Sequence, residues 1–127
     1  QQLIIKKKME HIIEIKKYNK DWWGLLKDSS MLISMSRFEG SPNVVLESMA
    51  GVCPLIVSDI VEHRELLSNN SALFVDVNDS KSLSEAIINI IYKKDEAKER
   101  ANNAFCIIQK FDINTAANEY EKLYNHR

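Results

Sequence analysis

Residues 31–47 read MLISMSRFEGSPNVVLE, and this segment decides the fold of the chain. It opens with an apolar run of strand length, after which Gly40 allows the backbone to turn. Ser41 and Pro42 predict a helix start, because the Ser41 hydroxyl can cap the first turn and Pro42 loses no hydrogen bond at the first helical position. The segment therefore predicts a strand, a turn and a helix in succession.

The start of this helix is suited to binding a phosphate group. Its first backbone amides, those of Asn43 and Val44, have no acceptor within the helix and lie at the positive end of the helix dipole. Glu47 lies one turn beyond Asn43, and helical side chains lean toward the N-terminus. Its carboxylate can accept two hydrogen bonds from a vicinal diol such as a ribose. Glu39, in the loop before the helix, is placed to meet the group beyond the phosphates.

The same residues also have an ordinary structural interpretation. Glutamates near helix starts complement the helix dipole, and a strand, a turn and a helix in succession occur in any α/β protein. The residues alone leave both interpretations open.

The rest of the chain alternates between apolar runs and helical patterns. Strands are predicted near 12–18, 31–35, 54–58 and 72–76, and helices at about 20–28, 42–51, 61–67, 80–93, 94–110 and 112–126. This alternation predicts an α/β fold with a Rossmann-like parallel sheet flanked by helices. Ligands of such sheets bind at the carboxyl ends of the strands, which is where Glu39 falls.

The motifs of this chain resemble the C-terminal, donor-binding half of retaining GT-B glycosyltransferases, above all the group 1 family, also called family 4. The signature of that family is two glutamates separated by seven residues, here Glu39 and Glu47. The resemblance rests on residues 36–50, 54–59 and 65–67, and it continues through 72–75, the helix from 82 and the closing pair 111–112.

The resemblance implies a role for each site residue. Glu47 matches the glutamate that binds the nucleotide ribose, and Glu39 matches the one that lies against the transferred sugar and takes part in catalysis. Gly40, Asn43 and Val44 lie where the helix start holds the diphosphate of the donor. The resemblance also implies a nucleotide-sugar donor, no cofactor and a metal-independent enzyme.

Three features depart from the family pattern. Val52 stands where the family has a glycine, two residues before Pro54, and Val61 and Glu62 stand where it often has paired glycines. The arginine and lysine with which the family neutralises the diphosphate come earlier in its domain, and they are not found here. The donor-side conformation of the 59–65 loop is therefore open, whereas the ribose site is not affected.

We expect the chain to be a fragment. A complete GT-B enzyme needs two domains of this size, and 127 residues with 45% hydrophobic side chains have room for one. Residues 1–127 are predicted to be a donor-binding domain that lacks its first strand–helix units, with the N-terminal acceptor-binding domain absent. Residues 1–8 look like the end of a helix. The isolated chain is expected to be inactive.

The charge balance argues against nucleic-acid binding. With 17 basic and 18 acidic residues the net charge is −1, so no phosphate-backbone footprint is expected. Residues 6–8 are three lysines, which suit either an anionic membrane surface or, more simply, a solvated face. No apolar run approaches the roughly 20 residues of a membrane span. We expect a cytoplasmic enzyme, with peripheral attachment to the inner face of the membrane left open.

The histidines and cysteines have no metal-ligand spacing. Cys53 and Cys106 are isolated, so no structural metal is expected. His63 is interpreted as a surface residue of the loop beside the donor site, with donor contact as the alternative.

Apolar residues in two predicted helices are interpreted as packing residues. Trp22, Leu25 and Leu26 are expected to bury one helix face with Trp23 at its edge, rather than to stack on a sugar. The apolar stripe of the helix at 112–126 is expected to pack on its own domain.

The resemblance predicts a transferase of hexosyl or N-acetylhexosaminyl groups. The donor would be a nucleotide sugar and the acceptor a glycan or lipid-linked glycan, in surface polysaccharide assembly. Two alternatives remain: a GT-B-like nucleotide-sugar epimerase, and a non-catalytic nucleotide-binding or scaffold domain, which the missing family glycines suggest.

Overall fold

A computed structural model describes residues 2–17 and 22–111 of the chain. The described residues form three strands and six helices. In chain order these are α1 (Gln2–Lys6), α2 (Trp22–Asp28), β1 (Leu32–Ser34), α3 (Asn43–Ala50), β2 (Leu55–Ser58), α4 (Val61–Leu66), β3 (Leu73–Val75), α5 (Ser80–Tyr92) and α6 (Lys94–Ile108). The strands predicted at 31–35, 54–58 and 72–76 are confirmed as β1, β2 and β3.

The three strands form a parallel sheet with β2 in the centre. Leu32 of β1 lies beside Leu55 of β2, and Ile56 of β2 lies beside Leu73 of β3. All four residues of β2 are buried, as expected for a parallel strand that is covered on both faces. The predicted α/β class, a parallel sheet flanked by helices, is confirmed.

The side chains of β2 alternate between two hydrophobic layers. Leu55 and Val57 belong to a cluster that includes residues of α3 and α6. Ile56 points to the opposite face and belongs to a cluster with residues of β3, α5 and the start of α6. Because strand side chains alternate between faces, one short strand anchors both helical layers.

The strand predicted near 12–18 is not formed over its described part, so this prediction is wrong there. Ile12 lies in a turn, residues 13–17 have no regular structure, and the isoleucines of this segment are 40–69% exposed. A strand needs a neighbour for its backbone groups, and the amides of Ile12 and Ile13 bond instead to the Met9 carbonyl.

The predicted helices are confirmed where the structure describes them. The helix at 112–126 lies outside the described residues. The carboxylate of Asp79 caps α5, accepting the amides of Lys81 and Ser82 at 3.1 and 3.0 Å.

In α2 only part of the predicted apolar face is covered. Leu26 is buried at 4% exposure and Trp22 is half-buried, but Leu25 is 43% exposed, contrary to the prediction. Leu26 lies against Gly51 at the end of α3, and Leu25, the next position around the helix, faces away from that contact. Trp23 is 40% exposed, consistent with its predicted place at the edge.

The chain leaves α3 through a left-handed residue, Val52, whose φ is 54°. The Val52 amide bonds to the Met49 carbonyl at 3.2 Å and the Cys53 amide to the Ser48 carbonyl at 3.0 Å, which is the Schellman pattern of a helix end. Gly51 has a helical φ of −82°, one residue before the position that favours glycine. A β-branched residue in the left-handed region is strained by about 1–2 kcal/mol.

Replacing Val52 with glycine is expected to give a more stable chain than replacing it with alanine. Both variants lose the packing of the Val52 side chain, which is 38% exposed, but only glycine adopts the left-handed backbone without strain. Relief of about 1–2 kcal/mol of strain exceeds the roughly 0.5–1 kcal/mol of extra backbone entropy that glycine loses on folding. Chemical denaturation should therefore show a free energy of unfolding higher for Val52→Gly than for Val52→Ala by about 0.5–1 kcal/mol. Equal or lower stability of Val52→Gly would contradict this account of the helix end.

Candidate functional site

The predicted site residues lie together in the loop and helix that follow β1. Glu39 and Gly40 are in the loop, and Asn43, Val44 and Glu47 are in α3. The two glutamates are half-buried and the other three residues are exposed. Because β1 runs parallel to β2 and β3, this loop begins at the carboxyl edge of the sheet, as predicted.

The helix starts one residue later than predicted, and Ser41 does not cap it. Pro42 has a ψ of 61°, which is not helical, so the first helical residue is Asn43. The Pro42 carbonyl accepts the amides of Val45 and Leu46 at 2.9 and 3.0 Å. The Ser41 hydroxyl turns instead to the side-chain oxygen of Asn43 at 3.0 Å. This local side-chain bond takes the hydroxyl away from the capping position.

One of the two amides expected to be open is already used. The Asn43 amide donates to the Ser41 carbonyl at 2.9 Å. The Val44 amide has no backbone acceptor among the described residues, and it lies at the positive end of a helix of eight residues. The helix start therefore offers the Val44 amide, rather than two amides, to a phosphate oxygen.

The two glutamates differ in how far their carboxylates are already engaged. Oε1 of Glu39 accepts a hydrogen bond from the Ser36 hydroxyl in the same loop. No hydrogen bond to another described side chain is found for Glu47, which leaves both its oxygens able to accept. Ser36 was missed from the sequence, although a serine three residues before the glutamate is within reach of its carboxylate.

Gly40 does not serve a backbone conformation that only glycine can adopt. Its φ is not positive, and a Cβ built on it would meet nothing within 4 Å. The open space beside the Gly40 backbone is therefore available to a ligand, which is the other common reason for glycine in a loop.

The segment after β2 needs no glycine at the two places where the family often has them. It becomes helical at Val61, and neither Val61 nor Glu62 has a positive φ. A left-handed backbone is therefore not the reason for the family glycines at these two positions, and donor contact by this segment remains a prediction.

Arg64 ties this segment down from the outside. Its guanidinium donates to both carboxylate oxygens of Asp59, at 2.7 and 2.9 Å, and to the Asn69 side chain at 2.8 Å. It also lies 3.6 Å above the ring centre of Phe74. The hydrogen bonds from Arg64 hold the pKa of the Asp59 carboxyl below its usual range. No sequence pattern pairs residues five apart across a loop and a helix, so this pair was missed.

His63 is neither in a loop nor on the surface, so the predicted surface position is wrong. It lies in α4 and is fully buried. Its Nδ1 is 2.9 Å from the Ser58 carbonyl, and because a carbonyl can only accept, Nδ1 carries the proton. Its Nε2 is buried without a partner among the described residues. The imidazole thus links α4 to the end of β2 from the buried side of the helix.

Replacing Asp59 with asparagine tests the outer tie through its pH dependence. Since the folded-state pKa of Asp59 is lowered, the ion pair stabilises the fold above the unfolded pKa, about 3.9, and this contribution is lost as the pH falls through the folded pKa. Both groups are largely exposed, so the effect is small. Acid titrations of the free energy of unfolding should show Asp59→Asn less stable than the wild type at pH 7, with the difference vanishing in strong acid. Arg64→Gln should lose the same pH-dependent contribution to the free energy of unfolding. A difference that persists in strong acid would contradict the ion pair as its cause.

No other feature of the described residues forms an alternative ligand site beside Glu39. No group of three or more histidine, cysteine or acidic side chains could hold a metal ion there. A cavity of about 450 Å³ lies near the amino ends of β1 and β2, lined partly by Ser30, Pro54 and Lys98, and is remote from Glu39. Within the described part of the chain, no helix is long and apolar enough to cross a membrane.

Comparison with protein families gives a match over most of the chain. The family model described as glycosyl transferases group 1 matches residues 1–105. The chain belongs to this family. No curated protein matches the sequence of this group 1 chain significantly.

Solved structures with the same fold include several glycosyltransferases. HepE from Anabaena in complex with UDP has a TM-score of 0.92 and 19% identity, covering 99% of this chain and 35% of its own. A TarM variant from S. aureus has a TM-score of 0.89 and 20% identity, covering 98% and 26%. Sucrose-phosphate synthase from Thermosynechococcus elongatus has a TM-score of 0.86 and 19% identity, covering 98% and 32%. At these identities the likeness shows the fold, and the chain spans 26–35% of the length of these proteins.

Proposed function

We propose that this group 1 chain binds the nucleotide-sugar donor of a retaining glycosyltransferase. The observation that carries the proposal is the Val44 amide at the start of α3, unbonded among the described residues, with half-buried Glu39 in the loop before it and half-buried Glu47 in the helix after it. The structures of HepE with UDP-glucose and of the TarM variant with UDP support a nucleotide-sugar ligand for this fold. The transferred group is a hexosyl or N-acetylhexosaminyl residue.

Each part of the donor meets a group of matching chemistry. The Val44 amide donates to the diphosphate, where the helix dipole favours negative charge. Glu47, with both oxygens open, accepts from the ribose diol. Glu39 has one oxygen engaged by Ser36, which orients the carboxylate and leaves its other oxygen for the transferred sugar.

Catalysis in this proposal is mainly electrostatic. As the bond between the sugar and the diphosphate breaks, negative charge grows on the diphosphate and positive charge on the sugar ring. Fixed donors at the start of α3 stabilise the negative charge on the diphosphate. The carboxylate of Glu39 stabilises the positive charge on the sugar ring. Neither a protein nucleophile nor a metal ion is required by this arrangement.

The wider setting is part of the same proposal. The acceptor, a glycan or lipid-linked glycan of surface polysaccharide assembly, is bound mainly by a second domain of a cytoplasmic enzyme. The solved structures of this fold, about three to four times as long as the chain, support a larger parent protein.

The backbone conformation at the positions of the missing family glycines does not favour the scaffold alternative. Val52 adopts the left-handed turn despite its side chain, and the helical backbone at Val61 and Glu62 does not depend on glycine. The epimerase alternative is separated from transfer by its product, since it would release an epimerised sugar and free nucleotide without any acceptor.

A thermal-shift screen tests donor binding. The protein as it occurs naturally, with any sequence that flanks these 127 residues, is heated with UDP, GDP, ADP and their sugars. At least one diphosphate and its sugar should raise the melting temperature, because a ligand that binds only the folded state stabilises it. If none does, the proposed function is wrong.

Glutamine at each glutamate separates the two proposed roles. Glu47→Gln should weaken binding of the free nucleoside diphosphate by roughly 1.5–3 kcal/mol, on the order of 10- to 100-fold in Kd, because charge-assisted acceptance from the ribose is lost. Glu39→Gln should leave that Kd nearly unchanged and lower turnover of the nucleotide sugar, the sign of an interaction made mainly in the transition state. Calorimetry measures the first quantity and release of nucleoside diphosphate the second.

Each variant is the control for the other, since both remove one carboxylate charge beside the same helix start. Equal weakening of nucleotide binding by both variants would show that proximity of charge, rather than the assigned contact, matters. No effect of either variant would remove both residues from the donor site.

A further inference from the structure

Acidic side chains outnumber basic ones around the carboxyl edge of the sheet. The loops and first helical turns after the three strands carry five acidic residues, namely Glu39, Asp59, Glu62, Asp76 and Asp79. An anionic diphosphate would be repelled by this field unless a cation lies close to it. The position of the few cations near this edge is therefore informative.

Three cations belong to the loops and helices that follow the strands: Arg37, Arg64 and Lys81. Arg64 is held in a two-point ion pair by Asp59. Lys81 lies 4.0 Å from Glu85, one turn further along α5. The ion pairs found among the described residues do not include Arg37. Of the three, it is the cation whose charge no described carboxylate neutralises.

The exposed side chain of Arg37 reaches across the edge of the sheet toward the loop after β3. It lies three residues beyond the end of β1, and its guanidinium donates at 2.8 Å to the side-chain oxygen of Asn78, three residues beyond the end of β3. The two loops flank the end of β2, because β2 lies between β1 and β3. Asn78 is held in place by its backbone amide, which donates a hydrogen bond to Asp76 Oδ1 at 2.7 Å.

Among the residues that the structure describes, this neutral partner engages only one of the N–H groups of the guanidinium. An arginine has five N–H donors in a fork that matches the oxygens of a phosphate. One donor goes to an uncharged amide oxygen, which orients the group without cancelling its charge. Arg37 is thus a positioned, un-neutralised cation in the same loop as Glu39 and seven residues before Val44.

We propose that Arg37 binds the diphosphate of the donor together with the Val44 amide. The proposal rests on the proposed function and adds a residue to it. The guanidinium forms charge-assisted hydrogen bonds to phosphate oxygens and offsets the acidic field of the edge. As the sugar leaves, the same bonds strengthen with the growing charge on the diphosphate.

The test compares a nucleoside diphosphate with its nucleoside in the naturally occurring protein. The probe is whichever of UDP, GDP and ADP binds the wild type most tightly, together with uridine, guanosine or adenosine to match. Arg37→Gln should raise the Kd of the diphosphate roughly 10- to 100-fold and leave the Kd of the nucleoside unchanged, since only the diphosphate meets the lost charge. Arg37→Lys keeps the charge but lacks the forked donors of the guanidinium. Its Kd for the diphosphate should therefore lie between that of the wild type and that of Arg37→Gln.

Lys81→Gln is the matched control. Like Arg37→Gln it removes one exposed positive charge near the carboxyl edge, but Lys81 lies beyond the end of β3. It should leave both Kd values unchanged. The proposal is overturned if Arg37→Gln changes diphosphate affinity less than about threefold, or weakens nucleoside and diphosphate equally, or if Lys81→Gln has the same effect. Failure of the wild type to bind any of the diphosphates would instead refute the proposed function itself. A melting temperature for each variant shows that it is folded.

Discussion

Parallel pairing of β1, β2 and β3 is the constraint on which the rest of the structure depends. Ser34 lies beside Val57 and Ser58 beside Val75, so the three strands end at nearly the same level. The loops after them, which carry Glu39, Asp59 and Asn78, are therefore brought to one edge, although they are far apart in sequence. A slip of one residue in β2 would exchange its two faces and take Leu55 and Val57 out of the layer they share with α3.

Most polar groups at that edge already have partners within the chain. Asp59 is held by Arg64, and the Ser82 hydroxyl bonded to Asp79 keeps the pKa of that carboxyl below its usual range. Glu39 accepts from Ser36. Among the described residues, the Val44 amide, the Glu47 carboxylate, the second oxygen of Glu39 and most of the Arg37 guanidinium retain hydrogen-bonding capacity. The two donors suit the anionic phosphates of a nucleotide sugar, and the two carboxylates suit the hydroxyls of its ribose and of its transferred sugar.

The sequence predicts the parts of this fold that follow from hydrophobic pattern. The apolar runs of β1, β2 and β3 and the placement of Glu39 after β1 need no knowledge of distant partners. The run at 12–18 shows the limit, because an apolar run does not supply the neighbour that a strand requires.

The details of the site that the sequence did not predict depend on individual side-chain hydrogen bonds. At the start of α3, whether the Ser41 hydroxyl bonds to the backbone or to the Asn43 side chain depends on angles that residue preferences do not fix. His63 is predicted to lie on the surface because a single histidine near a loop has no pattern that indicates burial, whereas the structure buries it with Nδ1 against the Ser58 carbonyl. The Asp59–Arg64 pair likewise depends on how the chain turns between β2 and α4.

The most direct test of the central claim is a titration of the ¹⁵N-labelled protein with the nucleoside diphosphate, followed through its backbone amide resonances. If the donor binds at the start of α3, the largest shifts should occur at Val44 and its neighbours between Gly40 and Leu46, and they should reach saturation. Shifts concentrated instead around the cavity lined by Ser30 and Lys98, with Val44 unmoved, would contradict the account.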